Sequence, residues 1–124
     1  MVLDAIERLS LGEVCTLSMG ESETSDQFMI ISRCKPSGLF ISIRAVGEVE
    51  EYDLVDSTQS ADLIECVVGT RMQTLTRDAL VDVKQAVLAA EYYFSTGGRL
   101  PSASWRRSDE RLRRMADGEP VHRI

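Results

Sequence analysis

Residues 27–44 read "QFMIISRCKPSGLFISIR". Two runs of large apolar side chains, 27–33 and 39–44, flank the five residues "CKPSG". Proline at the front and glycine at the back of that connection favour a reversal. Pairing Arg33 with Leu39 sets Ile31 opposite Ile41 and Met29 opposite Ile43, which stacks four large apolar groups on one side. A slip of one residue would turn all four to the opposite side, so the register is strongly specified. That opposite side carries Phe28, Ile30, Phe40, Ser42 and Arg44, a mixed set that predicts partial cover. The hairpin is therefore expected at the centre of an antiparallel sheet.

Working outward, "LDAIERLSLG" repeats Leu3, Ile6 and Leu9 every third residue and stops at Gly12, which predicts a short N-terminal helix. "VCTLSM" (14–19) alternates, with Cys15, Leu17 and Met19 on one side of a half-buried strand, and "GESETSD" (20–26) reads as a loop. "EVEEYDLVD" (48–56) reads as a charged strand, with Tyr52 and Leu54 pointing one way and Glu51, Asp53 and Val55 the other. That much charge predicts a sheet edge or a wet face. "LIECVVGTRM" (63–72) reads as one further strand. The period then changes. Arg77 to Ser95 is expected to form the longest helix, capped by Thr76 and carrying a stripe of Leu80, Val83, Val87, Ala90 and Phe94. A thinner line of Val81, Leu88 and Tyr92 is a second candidate interface. Gly97 and Pro101 end the helix, and "SASW" (102–105) returns as a short strand whose Trp105 packs near Tyr93 or Phe94.

These elements predict an α+β fold: an antiparallel sheet of about five strands packed on a long helix in the C-terminal half, with a short N-terminal helix. Residues 1–108 read as one domain. Residues 109–124 read as an arginine-rich C-terminal segment, a short helix or partly disordered.

With 44% apolar and 27% charged residues, the 124-residue chain has the composition of a soluble globular domain. Residues 1–65 hold thirteen acids against four bases, and residues 66–124 seven acids against ten bases, giving the net charge of −6. An acidic body argues against broad contact with nucleic acid and favours a basic protein partner. The three cysteines are scattered without a CxxC pair and His122 is the single histidine, so neither a metal site nor another cofactor is expected. No apolar run reaches membrane-spanning length, and "MVLDAIERLSLGEV" is too acidic for a signal peptide, so no membrane association and a cytoplasmic location are expected. Hydrolase, phosphate-loop and dinucleotide motifs are missing, no catalytic residue stands out, and no enzymatic activity is expected.

One stretch, "AVLAAEYYFSTGGRLPSASW" (86–105), combines an alanine-rich helix, an aromatic near its end, a T-G-x-x-x-P turn and a tryptophan four residues later. It resembles immunity protein family one of bacterial polymorphic toxin and contact-dependent inhibition systems, at Ala86, Phe94, Gly97, Pro101 and Trp105. Gly98, Arg99 and the arginine-rich end depart from that pattern. The resemblance implies a protein that binds and neutralises a cognate toxin domain, such as a nuclease or deaminase, by covering its active or substrate-binding surface. An acidic inhibitor suits a basic toxin surface, which makes Glu48, Glu50, Glu51, Asp53 and Asp56 the candidate contacts, with Tyr52 as an aromatic anchor. The competing reading is a solvated strand whose charges only block aggregation. Two other functions remain open: a homo-oligomeric scaffold, as a homodimer through Val81, Leu88 and Tyr92, or a nucleic-acid accessory protein using Arg106, Arg107, Arg111, Arg113 and Arg114.

Overall fold

The computed structural model describes residues 5–8, 16–19, 27–35 and 38–123. It is an α+β fold whose strands form one curled, almost wholly antiparallel sheet. In chain order the elements are α1 (residues 5–8), β1 (Thr16–Met19), β2 (Phe28–Lys35), β3 (Leu39–Arg44), β4 (Tyr52–Val55), β5 (Leu63–Val68), β6 (Arg71–Thr76), a 3₁₀ turn (Arg77–Ala79), α2 (Val83–Thr96), β7 (Ser104–Arg107), α3 (Ser108–Ala116) and β8 (Val121–Arg123). The strand order is β6-β5-β2-β3-β4-β7, with β1 beside β2 and β8 beside β5. Among the described residues only the β5–β8 pairing is parallel. The rest of the expected N-terminal helix and the 20–26 loop lie outside the described residues, as does Cys15.

The β2–β3 register is the expected one: Arg33 pairs with Leu39, Ile31 with Ile41 and Met29 with Ile43. All four inward side chains are fully buried, each contributing a gross ~1.5–3 kcal/mol of apolar transfer. They join Ile6, Leu54, Val81 and the α2 residues Ala86, Ala89, Ala90 and Tyr93 in one core. The opposite side of the strands holds a second core, in which Cys34, Phe40 and Val55 meet Cys66, Val68, Leu75 and Ala79. The sheet thus buries apolar groups on both sides, and of the mixed set on the second side Phe40 and Ser42 are buried while Phe28, Ile30 and Arg44 are half-buried, the partial cover expected.

Among the described residues eight strands stand where about five were expected. The run 63–72 is a hairpin rather than one strand. Val68 pairs with Arg71 across a two-residue turn, and Gly69 takes the positive φ of 64° that such turns require. The additional β8 comes from the C-terminal segment, which carries α3 and then rejoins the sheet.

The helix expected over 77–95 starts later and is only 14 residues long, so the expected packing of the sheet on a long helix is not confirmed. Thr76 makes no capping bond; its hydroxyl instead accepts from Arg106. Residues 80–81 stay extended, and Val81 exchanges two 2.9 Å backbone hydrogen bonds with Leu39. Asp82 is the true cap: its carboxylate accepts from the Gln85 N–H while the Gln85 side chain accepts from the Asp82 N–H. The buried side of α2 is the alanine side closed by Tyr93, and Phe94 is 66% exposed. Small alanines let the helix approach the sheet, a preference that a search for large apolar residues does not register. β4 is no edge strand either, because β7 pairs along it from Tyr52↔Arg107 to Val55↔Ser104.

Candidate protein-binding surface

The aromatic- and glycine-rich bend after α2 fastens three segments together. Gly97 adopts φ 74° and donates its N–H to the Tyr93 carbonyl at 2.7 Å, closing the helix. Its own carbonyl accepts from the Val46 N–H at 2.8 Å. Two residues later, Arg99 Nε donates to both carboxylate oxygens of Glu48, at 2.8 and 3.1 Å. The Arg99 guanidinium also lies 3.7 Å from the centre of the Tyr52 ring, a cation–π stack that holds it flat. Trp105 packs against the core cluster that contains Tyr93 and donates its indole N–H to the Leu100 carbonyl at 3.0 Å.

The result is a braced turn at residues 45–51. Glu48 N–H bonds back to the Ala45 carbonyl at 3.1 Å, and the tip presents Val49 at 85% exposure and Val46 at 54%. Phe94 lies three residues before the glycine to which Val46 is bonded. Acids surround this apolar tip. Glu50 faces Arg107 at 3.3 Å and Glu51 faces Arg44 at 3.8 Å, while Ser42 donates to Glu51 at 3.0 Å. Val46 and Val49 were not singled out in the sequence. The signal available was two valines inside an acidic stretch between strands, where a turn would normally carry polar residues.

The candidate acids therefore divide. Glu48, Glu50 and Glu51 sit on the braced turn. Asp53 is only 3% exposed, because its strand is covered by α3. It accepts from the Ser108 hydroxyl at 2.6 Å and faces Arg111 at 3.6 Å, too long for a hydrogen bond. Burial raises its carboxyl above the ordinary range, and Arg111 and Ser108 only partly offset this. Asp56 lies beyond β4, where the hydroxyl and N–H of Thr58 hold its carboxyl below the ordinary value. Tyr52 is half-buried under Arg99.

Of the resemblance residues, Ala86 is fully buried, Trp105 is half-buried, and Phe94 and Pro101 are exposed. The second candidate interface does not form one surface. Val81 belongs to the extended segment before α2 and is 2% exposed, whereas Leu88 is 49% exposed and Tyr92 half-buried. The C-terminal arginines fold back on the chain's own acids. Arg106 binds Asp78 through two bonds of 2.8 and 2.7 Å, Arg107 holds Glu50 and Asp109, and Arg114 holds Glu119. Arg113 is exposed in the last turn of α3.

A groove of about 490 Å³ runs between the end of β2 and the start of α2. Among the described residues no three His, Cys, Asp or Glu side chains are grouped to hold a metal ion, and no helix is long and apolar enough to cross a membrane. Comparison with known proteins gives no match: no family model fits the chain, and no curated protein or solved structure is significantly similar to it.

Proposed function

We propose that the chain is an immunity protein, acting in the cytoplasm without enzymatic activity of its own, which neutralises a toxin domain by covering the basic surface through which that toxin grips its substrate. The observation that carries this reading is the braced turn: Val49 stands out into solvent on a turn that also carries Glu48, Glu50 and Glu51, with Glu48 held by Arg99. A contact residue fixed before binding loses little conformational entropy when it docks. An apolar anchor ringed by acids fits a basic partner. The ion pairs already present do not block this, because exposed pairs contribute only ~0–1 kcal/mol and a partner's arginine can replace Arg107 on Glu50 at small cost. Resemblance to the immunity family at the helix–turn–strand joint supports the same reading through Gly97, whose carbonyl braces the turn at Val46, whereas Arg99 lies outside the matched positions.

The test is co-expression with the toxin domain encoded beside the gene. The expected result is rescue of growth and a stoichiometric complex, both lost with Val49→Asp. Folded protein that neither binds nor protects overturns the proposal.

Self-association is a second reading with its own observation. β6 is the end strand of the sheet, and Met72, Leu112 and Met115 line an open groove of about 310 Å³ beside it. Sedimentation decides: a single monomeric species removes this reading. The nucleic-acid reading loses support, because most of the arginines it needs are already bound to acids of the same chain.

A further inference from the structure

Cys34 and Cys66 come from β2 and β5, strands whose mutual ladder is only two residue pairs long, Cys34↔Val68 and Lys35↔Val67. Cys66 lies two residues before Val68 and therefore points to the same side of β5. Both thiols are free, are 2% and 3% exposed, and belong to the same buried cluster. They are diagonal neighbours across the ladder, the relation at which long or polarisable side chains on adjacent strands meet. Cys34 also lines the 490 Å³ groove, so a small solute can approach the pair from the Cys34 side. The function proposed above does not use these residues.

We propose that Cys34 and Cys66 form a redox-active dithiol that hydrogen peroxide, or another small peroxide, converts into a disulfide tying β2 to β5. The first step is attack of the Cys66 thiolate on a peroxide oxygen. The O–O bond breaks, the leaving hydroxide takes a proton, and Cys66 becomes a sulfenic acid with release of one water. Cys34 then gives up its proton, and its sulfur displaces hydroxide from Cys66. That hydroxide takes the released proton and leaves as the second water. Two thiols and one hydrogen peroxide thus give one disulfide and two waters.

The roles follow from the surroundings. The neighbouring Cys34 thiol favours the Cys66 thiolate, burial opposes it, and the nearby Arg111 charge favours it again, so Cys66 sits below the ordinary thiol value. Cys34 is pushed up by its interaction with Cys66 and by its own burial, and its thiol donates to the Ser32 carbonyl at 3.8 Å, which suits the second, resolving role. A ladder of two pairs can shift enough to reach disulfide geometry, which a long ladder would resist.

The experiment treats the purified full-length chain with hydrogen peroxide under native conditions. Remaining thiols are then blocked after unfolding, and the tryptic peptides are weighed. The expected product joins peptide 34–44 to peptide 45–71, and the oxidised protein melts roughly 5 °C or more above the reduced one, because the bridge restricts the unfolded chain. Reduction restores the original melt, and Cys66→Ser shows neither the linked peptide nor the shift. Recovery of both peptides fully blocked as free thiols, or linkage only through Cys15, overturns the proposal. The wild-type peptide map stands even if the serine variant does not fold.

Discussion

Replacing Arg106 by Met isolates the ion pair that anchors the last strand. Arg106 sits on β7 and reaches Asp78 in the 3₁₀ turn through two short, parallel hydrogen bonds, with a third bond to Thr76 at 3.0 Å. The Asp78 side chain is 4% exposed and that of Arg106 is 22%. Removing the cation leaves a carboxylate buried without its partner, a change that costs ~3–5 kcal/mol when both charges are fully enclosed. Water reaching the partly open arginine side lowers the figure to about 3 kcal/mol. With a urea m-value of ~1.5–2 kcal/mol/M, the unfolding midpoint falls by about 1.5–2 M. The double variant Arg106→Met, Asp78→Leu removes both charges and regains most of that loss, because two apolar groups need no compensation. Urea unfolding of wild type, both single variants and the double variant closes the cycle. A single variant within ~0.3 M of wild type, or single effects that simply add, would refute the reasoning.

Two further outcomes follow from the joint and from β4. Gly97→Val must hold a branched residue at φ 74° and drive its Cβ into Val46, so a loss of about 2 kcal/mol or more and a clearly lower melting temperature are expected; an unchanged melt contradicts the helix-ending role. Asp53 has a folded carboxyl raised by burial, so the native state binds its proton more tightly than the unfolded chain does. Its contribution to stability is then greatest at acid pH and declines as pH rises through the raised value. The stability of wild type relative to Asp53→Asn should therefore grow as pH is lowered from neutrality, and a difference that stays flat or shrinks would count against burial as the controlling cause.

The hairpin register was readable because it depends on local features: two alternating runs and a turn of defined length. The start of α2 was misplaced because Thr76 and Asp78 look like a helix cap, yet they bond Arg106, thirty and twenty-eight residues away. The capping box at Asp82 and Gln85 was also present in the sequence, but the apolar spacing of Leu80 drew attention to an earlier start. β4 looked like an edge because its acids were visible and their partners were not. Arg99, Arg107 and Arg111 lie roughly fifty residues on, beyond the reach of any pattern within a strand. The same distance hid the braced turn, since the hydrogen bond from Val46 to Gly97 and the grip of Arg99 on Glu48 exist only once α2 has packed.

Those long-range pairs set an order of events on the ribosome. The acids of the β3–β4 region emerge well before Arg99, Arg107 and Arg111 leave the exit tunnel. Until then the nascent chain carries uncompensated negative charge and its segments repel one another. The β2–β3 hairpin needs no distant counter-charge and can close early, whereas Asp53 does not meet its arginine until Arg111 has emerged. Covering of β4 by β7 and α3 therefore follows its pairing with β3, and a chain ending before Arg99 would hold β1 to β6 as an anionic sheet without β7 and β8.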